Sequence, residues 1–169
     1  MPSALIDAIV KINMSEIMGS AKSVLACRVF MLKIITGVAD KKEMLEWCFD
    51  FSKKDQSTKF ALAECVEQYL CRYVHDAMIF SIVLQCFEDE YWPVRRIACD
   101  CLIKMLVTKY KDRVECKLYE GAIDPSHYVR NHLLHRCRSG EIEDASISAR
   151  IIDILKNDTN YVIREFTNS

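Results

Sequence analysis

The chain has 169 residues, enough for one domain, and 51% of them are hydrophobic, enough to bury a core. With only 4 Gly and 3 Pro it lacks the turn residues of a β-sandwich or a loop-rich scaffold. Its 23 basic and 24 acidic residues exclude both a disordered polyelectrolyte and a uniformly basic nucleic-acid binder. The 9 Cys are odd in number and spread through the chain, which fits reduced thiols better than a disulfide framework.

From the N-terminus, Met1 to Asp7 shows no basic stretch ahead of an apolar run and meets an acid at once, so no secretory signal is expected. The longest uncharged apolar stretch, Ala77 to Leu84, is too short for a membrane span. A cytoplasmic location and no membrane partner are the expectation. Amphipathic runs at helical spacing follow at about 3–17, 41–52, 75–88, 111–121 and 145–156.

After each run comes a polar residue suited to start a second helix: Ser20, Asp55, Asp89, Asp124 and Asp158. They lie 35, 34, 35 and 34 residues apart. Val-Arg follows five and six residues later at Val94-Arg95 and Val129-Arg130, and Ile163-Arg164 stands in the same place at the last copy. The copies at Ser20 and Asp55 have Leu25-Ala26 and Phe60-Ala61 instead, so any ladder of Asp and Arg is expected to break in the N-terminal half. Pro93 and Pro125 stand near the helix starts, where a missing N–H costs nothing. The pattern predicts an all-α domain over 1–169, made of five antiparallel A–B helix pairs at approximately 1–38, 39–73, 74–109, 110–140 and 141–169.

The spacing Asp-(x)4-Val-Arg-(x)2-Ala between two helices resembles the HEAT repeat, an α-solenoid unit. The copies at Asp89 and Asp124 resemble it most, although Leu133 stands where the family usually has Ala. The resemblance implies a right-handed α-solenoid in which Asp and Arg link neighbouring repeats. It also implies a concave surface lined by one side of the B helices.

On that side fall the residues seven, eleven and fourteen after each polar residue. They read Cys27, Met31, Ile34; Leu62, Val66, Tyr69; Arg96, Asp100, Ile103; and Asn131, His135, Arg138. The first two sets are apolar and the last two mostly polar. Met31, Leu62, Val66 and Tyr69 are therefore expected to form an apolar binding groove, with packing into the core as the alternative. Trp92, at the A–B turn, joins Arg96, Asp100, Asn131, His135 and Arg138 as a candidate contact.

No phosphate loop, metalloprotease helix or nucleophile elbow is present. His132, His135 and Cys137 lack the second tight pair of a structural zinc site, so no metal or cofactor is expected. Residues 91–138 carry 10 basic and 5 acidic groups, a local excess suited to an acidic partner or a phosphate backbone, with ordinary solvated charge at the link around Lys109, Lys111 and Arg113 as the alternative. The expected function is non-catalytic: a scaffold binding a peptide or protein on its concave B-helix face. Self-association through the solenoid ends is a further expectation, because end repeats need covering. The alternative is a nucleic-acid binder resembling HEAT-like DNA glycosylases, using Trp92, Arg96, Asp100, Lys104 and Arg138. A tetrapyrrole lyase resemblance is weaker still.

Overall fold

The computed structural model describes residues 53–68 and 74–168. Every regular element among them is a helix: α1 (Gln56–Gln68), α2 (Ala77–Phe87), α3 (Trp92–Met105), α4 (Lys111–Gly121), α5 (His127–Arg138), α6 (Ala145–Leu155) and α7 (Tyr161–Asn168). The B helices α1, α3, α5 and α7 pack side by side in chain order, and the A helices α2, α4 and α6 pack against them. The described residues are thus all-helical and built as a helical repeat.

Why these segments are helices follows from their ends and faces. Asp76 and Asp144 cap α2 and α6, each side chain accepting from the backbone N–H groups of the first turn. At the far end of α5, Gly140 takes φ +76°, and the bonds Gly140 N–H to Cys137 O and Glu141 N–H to Arg136 O close a Schellman turn. Between the layers lie Ile79, Ile82, Leu102, Met105, Leu118 and Leu133, all fully buried. Each such side chain contributes about 1.5–3 kcal/mol relative to exposure.

The aspartates of the repeat were expected to be N-caps. At Asp55 this holds: its carboxylate accepts from the N–H and the hydroxyl of Thr58, and α1 begins at the next residue. Asp89, Asp124 and Asp158 do something different. Each accepts from the backbone N–H two residues on, at Tyr91, Ser126 and Asn160, and the helix begins one residue later still. These aspartates close an Asx turn ahead of the helix.

This two-residue offset corrects the sequence register of the second copy. Counted from the helix start, Lys59, Arg95, Arg130 and Arg164 are all the fourth residue. Lys59 Nζ pairs with Asp89 Oδ2 at 2.7 Å. Arg95 pairs with both oxygens of Asp124, at 2.7 and 2.9 Å, and Arg130 with both oxygens of Asp158, at 2.6 and 2.9 Å. The ladder therefore does not break at the second copy. It continues through a lysine in the place of arginine.

The same offset decides Leu62 and Val66. They hold the helix positions of Ala98 and Leu102, not those of Arg96 and Asp100, and they are 0% and 1% exposed. Leu62 and Val66 line no exposed groove. The buried residues of α1, from Thr58 and Lys59 to Cys65 and Val66, cover a little over half of its circumference, and Leu62 and Val66 lie within that buried arc. Met31 and Tyr69 lie outside the described residues.

Candidate functional site

Aligned by helix position, the outward face of the B helices reads Phe60, Glu64, Glu67 on α1; Arg96, Asp100, Ile103 on α3; and Asn131, His135, Arg138 on α5. The first two sets are partly exposed and the third fully so. The expected sites Arg96, Asp100, Asn131, His135 and Arg138 therefore do share one surface. Phe60, Glu64 and Glu67 also belong to it. A helix start read at Gln56 from the Asp55–Thr58 cap would have found them.

Two clefts divide this surface. The first, of about 780 Å³, lies at the N-terminal ends of α3 and α5, and Phe60, Trp92, Arg96, Tyr128, Asn131 and His135 are among its lining. The Trp92 and Tyr128 rings stack there, with centroids 4.6 Å apart and planes 21° apart. His127 leans on Tyr128 with centroids 4.0 Å apart. Tyr128 is still 54% exposed. Among the described residues no acid lines this cleft. Arg96, Asn131 and His135 make no side-chain hydrogen bond or ion pair among the described residues.

The second cleft, of about 770 Å³, lies toward the C-terminal end of α3, and Glu67, Asp100, Glu141, Glu143 and Asp144 give it five carboxylates. Lys104, Lys111 and Arg136 are set among them. Lys104 pairs with Glu67 and Lys111 with Asp144, the latter at 2.7 Å.

Asp100 lines the second cleft and is bonded through Oδ1 to two residues that line the first. His132 Nε2–H donates to its Oδ1 at 2.8 Å and Arg136 Nε–H to the same oxygen at 2.9 Å. Burial works to raise its carboxyl, but the hydrogen bond from His132 and then the charge of Arg136 outweigh it and hold it below the ordinary range. Arg136 also donates to Glu141 at 2.6 Å. The network ties α3, α5 and the following turn together. His132 and Arg136 were missed as partners of Asp100 because they lie on another helix, 32 and 36 residues away.

The candidate DNA-contacting set is dispersed by these bonds. Asp100 serves the network, Lys104 pairs with Glu67, and Arg138 donates to the Phe166 carbonyl and lies 5.9 Å from that ring's centroid. Among the cysteines, Cys65, Cys86, Cys99, Cys101 and Cys137 are buried and act as small apolar residues, whereas Cys116 is exposed. Burial pushes the Cys99 and Cys137 thiols up, away from the reactive thiolate. No group of three metal-ligating side chains gathers among the described residues. Nor is any described helix long and apolar enough to cross a membrane.

Residues 79–107 match the family model of the HEAT repeat. No curated protein and no solved structure matches the chain. HEAT repeats generally mediate protein–protein interaction. The segment from Ile79 in α2 to Val107 beyond α3 is similar to a HEAT repeat, and the all-helical array of the described residues is consistent with a HEAT-like helical repeat.

Proposed function

We propose that the protein is a non-catalytic interaction module, and that a protein or peptide partner docks on the outward face of α3 and α5. The observation that carries this reading is the aromatic cleft, where the exposed Tyr128 ring and the half-buried Trp92 stand beside Arg96, Asn131 and His135, polar side chains with no side-chain partner among the described residues. Stacked aromatics and arginine are the residue types that concentrate binding energy at interfaces. In this reading the buried thiols of Cys99 and Cys137 serve packing and Asp100 serves the network that joins α3 to α5.

Affinity capture followed by rebinding of the purified partner tests this reading. The wild-type protein should retain that partner, and the double variant Arg96→Glu, His135→Glu should lose at least about tenfold in affinity. Asp112→Lys, on an exposed position of α4, should leave it unchanged. Equal loss with the α4 variant, or none with the double variant, would place the partner elsewhere.

A further inference from the structure

The chemistry of the cleft goes further than its shape. This inference rests on the interaction-module reading and adds the class of partner. The cleft gathers the guanidinium groups of Arg96 and Arg136 and the imidazole of His135 beside Phe60, Trp92 and Tyr128, with no carboxylate among the described residues of its lining. Arg136 is already satisfied by Asp100 and Glu141, which leaves Arg96 and His135 to meet a ligand. Trp92, Pro93 and Tyr128, in the first turns of α3 and α5, also border the cleft. The positive region is short. Along the same face it gives way to the second cleft, where the five carboxylates of Glu67, Asp100, Glu141, Glu143 and Asp144 outnumber the three cations Lys104, Lys111 and Arg136 that pair with four of them.

We propose that the cleft seats a short acidic segment of a partner protein, its carboxylates paired with Arg96 and His135 and an aromatic or aliphatic side chain lodged against Trp92 and Tyr128. Charge complementarity selects the acid, and the exposed half of Tyr128 selects an apolar anchor beside it. The adjoining acidic cleft decides between an acidic peptide and a nucleic acid. A phosphate backbone continuing along the B helices would run onto those carboxylates, while a peptide can end or change charge within a few residues.

The test uses the full chain carrying Trp47→Phe, so that Trp92 is the remaining tryptophan of the two. An array of random twelve-residue peptides is probed with this protein, and a dT12 oligonucleotide is titrated in parallel. The expected result is retained peptides enriched in Asp and Glu around an aromatic or leucine residue. Binding should shift the Trp92 emission. Replacing the acids by amides, or Arg96 by glutamine, should each weaken binding about tenfold. Tyr128→Ala, on an exposed ring, should weaken it while the thermal melt is unchanged. Retained peptides with no acid enrichment, but with loss on Tyr128→Ala, would overturn the acidic partner and leave the interaction module standing. Tighter binding of dT12 than of any peptide, or an empty array, would overturn both.

Discussion

At the residue scale, each aspartate of the ladder has two tasks. It closes the turn ahead of its own helix and receives the arginine or lysine of the preceding repeat. The arginines also fold back onto their own turn, as Arg95 does in donating to the carbonyls of Asp89 and Glu90. A planar guanidinium does this better than an ammonium, because its donors fork in fixed directions. Burial pushes the Asp158 carboxyl up, but the bonds from Arg130 and from the Asn160 N–H prevail and hold it below the ordinary carboxylate range. The folded chain then binds that proton more weakly than the unfolded chain. The stabilisation is complete above the ordinary aspartate value of about 3.9 and is lost as pH falls through the lower folded value. Denaturant titrations should therefore give a flat midpoint from pH 7 to 5 and a fall below about pH 4. Asp158→Asn should cost about 3 kcal/mol at pH 7, since it leaves Arg130 buried against a neutral group, and should shrink the acid limb. An acid limb as steep as that of the wild type would assign it to other carboxylates, with Asp100 the next to examine.

At the element scale, helix starts and stops settle which side chains meet. The helical periodicity and the spaced aspartates made the described pairs legible from sequence, including the positions of Arg96, Asp100, Asn131, His135 and Arg138 on a common face. The second copy was misread for a physical reason. Asp55 caps its helix directly, whereas Asp89, Asp124 and Asp158 stand a turn ahead of theirs, so equal sequence spacing gives unequal helix positions. Lys59 and Phe60 were hidden by that shift, and Leu62 and Val66 were brought to the surface by it. Two glycines at the ends of α4 and α5 carry a second element-scale expectation. A Cβ on Gly121 would sit 2.8 Å from Leu133 Cδ1, in a fully buried contact between α4 and α5. Gly121→Ala should therefore destabilise by about 1 kcal/mol net, overpacking outweighing the gain in helix propensity. Gly140→Ala should cost about the same for a different cause, its left-handed φ, since open space surrounds the site. Adding Leu133→Val should relieve the first loss and not the second, and chemical denaturation of the four variants reads the difference. Equal response of both would mean that close helix approach is not what glycine serves at 121.

At the scale of the whole molecule, successive repeats are held by burial between neighbouring B helices and by the rungs Lys59–Asp89, Arg95–Asp124 and Arg130–Asp158. In such a linear array stability is close to a sum of repeat terms and neighbour terms, so weakening one junction should let the two sides open separately. The Arg95–Asp124 rung is the place to do this, because it joins the α2–α3 pair to the α4–α5 pair. Arg95→Met keeps much of the stem's packing and removes the charge. It leaves Asp124, 6% exposed, with the Ser126 N–H as its remaining hydrogen-bond donor, a cost of about 3 kcal/mol. Native-state hydrogen exchange should then divide. Wild-type amides of α3 and α5 should open with similar free energies, while in Arg95→Met the two sets should separate by at least about 1 kcal/mol. Lys156→Met provides the comparison, since it removes a solvent-facing pair with Asp153, three residues away in the same repeat and worth about 1 kcal/mol at most. If both sets fall together in Arg95→Met, apolar packing between α3 and α5 carries the coupling and the rung serves chiefly to shape the turn. Separation would instead make the ladder the element that keeps α3 and α5 in register, and with them the two halves of the cleft formed by Trp92, Arg96, Tyr128 and His135.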